Sequence, residues 1–327
     1  MLRSETEGDP GRMAAALTGL RTYQTAPRPA RPPAMPVVAR AGRAMLRDYG
    51  GVGRPVIVVP SLINTPDVLD LLPDTSLLRW LTTQGVRPLL VDWGEPSPAE
   101  RDLDIAGHVE RLLLPLIETI GCDAALVGYC LGGTMALAAA AIRPPSALAL
   151  IAAPWRFAGF PSEARDGLAA LWEKALPSVD TMGLLPVEVL QTAFWRLDPA
   201  RTIGKFAALA GQRDAAAIGR FVALEDWANG GAPLTAGAGR ELALDFFGED
   251  RPGDGRWRVA DRTVDPHGIG FPMLDVVSTT DRIVPAATSV GVGRRLLLAQ
   301  GHVGMMVGGQ ARTRLWEPLA HWLSDPV

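Results

Sequence analysis

Hydrophobic and polar positions alternate in blocks from Pro55 onward, each block carrying the period of a strand or of a helix. PVIVVP (55–60) is a short β-branched run bounded by proline and predicts a buried strand. SLLRWLTTQG (76–85) predicts a helix stopped by Gly85, and RPLLVDW (87–93) the next strand. Over residues 104–120, Ile105, Val109, Leu112, Leu113, Leu116 and Ile117 fall on one helical face, with Asp102 or Asp104 available as cap. ALVGY (125–129) follows as a strand, LGGTMALAAAAIR (131–143) as a helix and SALALIAAP (146–154) as a strand. Strands that are apolar throughout and alternate with helices predict an α/β fold, with a mostly parallel central sheet covered on both faces.

The alternation breaks over residues 158–255, which are rich in Ala, Leu and Trp at helical spacing, as in VEVLQTAFWRL and GRELALDFFGED. Strand patterning resumes at FPMLDVVS (271–278) and RRLLLA (294–299), and a last helix falls within QARTRLWEPLAHWL. The expected organisation is a core in two parts, residues 36–157 and 256–327, with a helical cap inserted at 158–255. Residues 1–35 read as a flexible, proline-rich arm: in TAPRPARPPAMP (25–36), Pro27, Pro29, Pro32, Pro33 and Pro36 oppose helix and strand alike. Trp155, Trp172, Trp195 and Trp227 lie near or within the cap, where ordinary core packing is the expectation for most of them.

Residues 124–142 carry no charge and are long enough to suggest a membrane span. Gly128, Gly132 and Gly133 interrupt the stretch, so a buried strand, a sharp turn and a buried helix are predicted instead. The first residues hold early charges and no continuous apolar run, so no signal peptide is expected. The net charge is −3, without the basic surplus of a nucleic-acid-binding protein. Two cysteines, Cys122 and Cys130, give neither a disulfide framework nor a metal-ligand spacing, and fit a reducing, cytoplasmic compartment. No metal or cofactor is expected.

The candidate chemistry centres on Gly128-Tyr129-Cys130-Leu131-Gly132-Gly133, after a strand and at the start of a helix. This is the G-x-nucleophile-x-G elbow of α/β-hydrolase folds with cysteine as nucleophile. The turn is so tight that the nucleophile takes a strained backbone and its neighbours must be small. A helix N-terminus aimed at a thiol favours thiolate, and the Leu131 N–H can donate to a developing oxyanion. Asp281, in STTDRIVP, and His302, in AQGHVGMM, each follow a predicted strand, giving the chain order nucleophile, acid, histidine. His302 is then the proton acceptor and Asp281 holds its tautomer. A second oxyanion donor is expected from Pro60-Ser61-Leu62-Ile63-Asn64; by position it is the Leu62 N–H, with Ser61 and Asn64 orienting the loop.

Other residues carry weaker claims. His108 is expected exposed or half-buried on its helix, His267 in a turn, and His321 on the terminal helix. Asp275 lies inside a strand, Asp265 in a turn, and Asp92 fixes a loop. Cys122, in GCD, has no elbow around it and reads as structural. A thiol nucleophile makes a thioester, which keeps the acyl group's transfer potential and favours acyl transfer over ester hydrolysis.

GYCLGGTMA resembles the elbow of polyhydroxyalkanoate synthases, where a G-x-C-x-G-G box is usual. VVPSLINTPDVLDLLPDTSLLRWLTTQG is similar to that family's first strand and loop. LLVDWGEPSPAERDLDI is similar to its next strand and loop, particularly in the short, class III-like synthases that act with a second subunit. DRIVP and GHVGMMVGG resemble the segments bearing its aspartate and histidine, and GLLPVEVLQTAFWRLDP and FVALEDWANGGAPLT its cap. Arg282 stands where the family often has His. The resemblance implies transfer of 3-hydroxyacyl groups from CoA thioesters to a polyester chain, with Cys130, Asp281 and His302 as the triad. It also implies association with polyester granules, a homodimer and a helper subunit. Two other readings use the same residues: a thioesterase or ester hydrolase with this triad, and a catalytically weak relative that binds granules or a synthase.

Overall fold

The computed structural model describes residues 2–121 and 123–326; Cys122 lies outside the described residues. Eight strands form one sheet: β1 (Val37–Ala41), β2 (Ala44–Asp48), β3 (Pro55–Val59), β4 (Arg87–Asp92), β5 (Ala125–Tyr129), β6 (Leu148–Ile151), β7 (Met273–Ser278) and β8 (Arg294–Leu298). Their order is β1-β2-β4-β3-β5-β6-β7-β8. β1 and β2 form an antiparallel hairpin, and β2 runs antiparallel to β4. The six strands from β4 to β8 are parallel.

Side chains along β3 alternate between two apolar layers, as the two-residue period of a strand requires. Ile57 and Val59 join the layer with Leu113, Leu116 and Met135, whereas Val56 and Val58 join the layer with Leu78, Leu81 and Leu319. Burial on both faces is why the parallel strands read as unbroken apolar runs. The uncharged stretch at 124–142 splits at Cys130 into β5 and the helix Leu131–Ile142. Among the described residues, no helix is long and apolar enough to cross a membrane.

Between β6 and β7 the chain leaves the sheet. It forms the helices Ser162–Met182, Val187–Leu197, Pro199–Leu209 and Ala215–Ala228, then the helical run Ala236–Arg240 and Glu241–Gly248. A two-residue ladder pairs Leu184 and Leu185 with Thr235 and Leu234.

The N-terminal segment departs from the expected flexible arm. Pro10–Thr25 is a helix whose start is fixed by Asp9 accepting from the Arg12 N–H at 2.9 Å, with proline in the first turn. It packs against Pro199–Leu209. Gly19 permits the contact, because a Cβ there would lie 1.8 Å from the Phe206 carbonyl oxygen. Residues 27–36 form neither helix nor strand, and the Pro33 and Met35 carbonyls accept from Arg79 and Arg47. Prolines do prevent regular structure there, but side chains of the body hold the backbone. The β1–β2 hairpin was also not expected. Its strands alternate half-buried with exposed or buried positions, without the apolar run that marks the central strands.

Candidate active site

The parallel strands end on one edge of the sheet, and the predicted chemistry gathers there. Ser61 follows β3, Cys130 follows β5, Asp281 follows β7 and His302 follows β8. Loops at the carboxyl ends of parallel strands line the ligand crevice of open α/β sheets.

The elbow has the backbone its sequence demands. Cys130 sits at φ 55°, ψ −134°, a region disfavoured for a side-chain-bearing residue, and its N–H bonds the Ile151 carbonyl at 3.0 Å. The three glycines explain how the turn is accommodated. A Cβ on Gly128 would lie 2.4 Å from the Gly133 Cα, one on Gly132 2.2 Å from the Val59 oxygen, and one on Gly133 2.3 Å from the Ala153 Cβ. The strand, the turn and the helix therefore approach more closely than any side chain would allow.

His302 Nδ1 lies 2.7 Å from Asp281 Oδ2, and the Asp281 side chain is fully buried. The other carboxylate oxygen, Oδ1, accepts from the backbone N–H groups of Ile283 and Val284 at 2.8 and 3.0 Å. With Nδ1 committed to Asp281, Nε2 is the ring nitrogen left for proton transfer, and it shares a cavity with the Cys130 side chain. Burial alone would lower the imidazole pKa. The adjacent Cys130 and Asp281 outweigh it and raise His302 to about 10. Cys130 itself is a free, half-buried thiol.

Tyr129 was not singled out by sequence, although it sits inside the elbow motif. Its ring stacks on the His302 imidazole and its hydroxyl donates to the His302 carbonyl. Burial, and behind it Cys130 and Asp281, pushes the Tyr129 phenol well above its ordinary value, so it stays a neutral donor.

A cavity of about 200 Å³ opens over Cys130 and His302. Its lining includes Ser61, Ile63 and Asn64 and, from the helices between β6 and β7, Gln191, Phe194, Trp195, Thr202, Lys205 and Trp227. The loop is tied in place from both sides. Ser61 Oγ accepts from the Ile63 N–H at 3.1 Å, and Asn64 donates to the Gly230 carbonyl at 3.1 Å. Trp227 Nε1 donates to the Thr65 carbonyl at 2.9 Å. Lys205 pairs with the buried Glu225 at 2.7 Å. No local pattern marks Gln191, Phe194 or Lys205 as cavity residues, because they meet the site only through the folding-back of the cap.

Leu62 and Leu131 bury their side chains in the core, so any contribution to the site comes from their backbone. Leu131 opens its helix, so its N–H has no partner within the helix. Arg282 pairs with Asp198 at 2.6 Å, where the helices Val187–Leu197 and Pro199–Leu209 meet.

Among the other histidines, His267 and His321 are exposed, but His108 is not as expected. It is buried: Nδ1 meets the Asp104 carbonyl and Nε2 meets Arg43, each at 2.6 Å, and the ring stands edge-on to Trp93. Its helical position gave no sign of Arg43, which arrives from the β1–β2 hairpin. Asp92 accepts from the Gly94 N–H and from Arg47. Asp275 is buried in β7, and Asp265 caps the turn at His267. Trp155, Trp172 and Trp227 are buried, whereas Trp195 is 42% exposed.

This sheet order, with a glycine-rich turn at Cys130 after β5 and with Asp281 and His302 after β7 and β8, is that of an α/β-hydrolase fold. Solved structures agree on the fold. Rv0554 from Mycobacterium tuberculosis superposes with a TM-score of 0.55 at 16% identity, over 88% of this chain and 98% of its own. The monoacylglycerol lipase of Paleococcus ferrophilus gives 0.51 at 15% identity, over 87% and 99%.

No family model matches the chain. Sequence relatives are poly(3-hydroxyalkanoate) polymerase subunits PhaC. That of Synechocystis sp. is 29% identical over 295 residues, 83% of this chain and 78% of that protein. That of Allochromatium vinosum is 27% identical over 291 residues, 83% and 81%. That of Haloferax mediterranei is 26% identical over 295 residues, and the match spans only 58% of its length. The chain is thus a relative of the polyhydroxyalkanoate polymerases with an α/β-hydrolase fold.

Proposed function

We propose that the protein is a cysteine acyltransferase of the polyhydroxyalkanoate-synthase type, moving 3-hydroxyacyl groups from CoA thioesters onto a polyester chain. The observation that supports this reading is the pairing of His302 Nδ1 with Asp281 Oδ2 at 2.7 Å, beside Cys130 in one cavity at the strand ends of a chain related to PhaC polymerases. In the first half-reaction the Cys130 sulfur attacks the thioester carbonyl and its proton resides on His302 Nε2. The backbone N–H groups of Leu131 and Leu62 receive the oxyanion. As the adduct collapses, the bond to CoA sulfur breaks and His302 returns the proton to the departing thiolate.

In the second half-reaction the hydroxyl of a hydroxyacyl group attacks the Cys130 thioester. Its proton passes to His302, an ester bond forms, and the carbon–sulfur bond to Cys130 breaks. The proton then returns to the cysteine–histidine pair. Asp281 holds the imidazole so that the same nitrogen serves both steps. Thioester exchange is close to neutral in free energy and ester formation runs downhill, which is what a thiol nucleophile suits. CoA thioesters are substrates on this reading, and no metal or cofactor takes part. Growth of the polymer at a cytoplasmic granule, dimerisation and a helper subunit are further parts of the proposal.

Incubation with 3-hydroxybutyryl-CoA tests it. Free CoA together with polymer is the expected result. Free CoA with monomeric 3-hydroxybutyrate makes the protein a hydrolase, and absence of turnover with or without a helper subunit makes it a binding relative.

A further inference from the structure

A second cavity, of about 420 Å³, lies beside the one over Cys130. Ile63, Phe194 and Ile283 belong to the walls of both. The first cavity offers polar groups from Asn64, Gln191, Thr202, Lys205 and Asn229. The second is lined mainly by Phe160, Leu168, Leu171, Leu190, Leu242 and Phe247, from three cap segments and the loop that follows β6. Its charged lining residues are Glu163, Arg196 and Arg282, and Asp198 holds Arg282.

The geometry points to the second cavity as the compartment for the polyester segment attached to Cys130, with Phe194 as its gate. The inference rests on the proposed acyl transfer. An acyl-cysteine and the departing CoA must leave the sulfur in different directions, because one is covalently held while the next donor enters. CoA carries several phosphate charges, whose transfer into an apolar enclosure is strongly unfavourable. A polyester has no charge along its length, exposes alkyl groups, and gains by leaving water. The apolar second cavity therefore suits the chain and excludes the charged end of the donor, which is left to the opening over Cys130.

Gly167 provides a clean test. It lines the apolar cavity on the helix Ser162–Met182, and a Cβ there would meet no atom within 4 Å. Gly167→Phe therefore fills the space without displacing backbone, and Leu171→Trp fills it from the next turn. The probe is an uncharged methyl ester of a 3-hydroxybutyrate oligomer, titrated calorimetrically into the Cys130→Ala protein. Binding weakened by at least about tenfold, roughly 1.4 kcal/mol, is expected in both filled variants, because the oligomer loses the apolar space in which it leaves water. Polymer made by the otherwise native enzyme should shorten in parallel. Absence of oligomer binding, or binding and polymer length indifferent to both substitutions, overturns the inference. The underlying activity fails separately: oligomer binding that responds to Gly167→Phe, without CoA release from 3-hydroxybutyryl-CoA, leaves the cavity assignment standing and removes the polymerase reading.

Discussion

The Tyr129 ring lies over the imidazole of His302, with centroids 5.0 Å apart and planes inclined by 26°. The same tyrosine's hydroxyl donates to the His302 carbonyl at 3.3 Å. One side chain thus grips both the ring and the backbone of the proposed base. Tyr129→Phe keeps the stack and should alter kcat only slightly. Tyr129→Leu loses it, and an aromatic pair of this kind contributes about 0.5–1.5 kcal/mol. A fall in kcat with little change in KM, and an altered pH profile, is expected for Tyr129→Leu; equal behaviour of the two variants would remove the positioning role.

The high pKa of His302 depends on its neighbours. Burial opposes the charged ring, and Cys130, then Asp281, raise it to about 10. Cys130→Ala removes the first of these supports, so the imidazole should titrate lower than in the native protein, as read by its proton resonances. A folded value above the ordinary 6.5 means that the stabilising contribution of the charged ring is complete below pH 6.5 and lost as pH rises through about 10. An unchanged titration in Cys130→Ala would separate the thiol from the histidine.

The proposed chemistry predicts different losses at each position. His302→Gln should lower polymer formation by about 10²–10⁴-fold, the usual contribution of a general acid–base. Cys130→Ser should retain the fold and its Tm but cut polymerisation sharply, because an oxyester intermediate surrenders the transfer potential that a thioester keeps. A serine variant with the full polymerisation rate would defeat the argument from sulfur.

His108 should report acid unfolding. Burial, and behind it Arg43, pulls it from 6.5 to about 4 against the opposing bond to the Asp104 carbonyl. The unfolded chain takes the proton first, so this stability is fully present above pH 6.5 and disappears as pH falls through about 4. The shift corresponds to about 3 kcal/mol. Denaturant midpoints of the native protein should fall across that interval, and His108→Gln should flatten the slope there.

The N-terminal helix holds the cap helix that carries Thr202 and Lys205. Tyr23 packs edge-on against Phe206 and Phe221 and donates to Asp226 at 2.6 Å. Gly19→Leu would drive a side chain into the Phe206 backbone, destabilising the contact by about 1–3 kcal/mol. Faster proteolysis within residues 10–25 and faster alkylation of Cys130 are the expected outcomes. Unaltered rates of both would show that the helix does not restrain the cap.

Periodicity along the chain was enough for the central strands, their flanking helices and the interrupted helical block, because burial on both faces of a parallel sheet writes itself as apolar runs. The elbow was legible for the same local reason: glycine at 128, 132 and 133 and a strained residue at 130 are requirements of adjacent backbone. The order Cys130, Asp281, His302 followed from where strands end. What the tertiary structure alone decided are the meetings of distant segments. Tyr129 reaches His302 across 173 residues, Glu241 accepts from the Ile105 N–H across 136, and Asn64 joins Gly230 across 166. The packing of Gly19 on Phe206, the burial of His108 beside Arg43 and the sharing of Phe194 between two cavities are of the same kind. Such contacts depend on how layers close over one another, and no period in a sequence records which faces will touch.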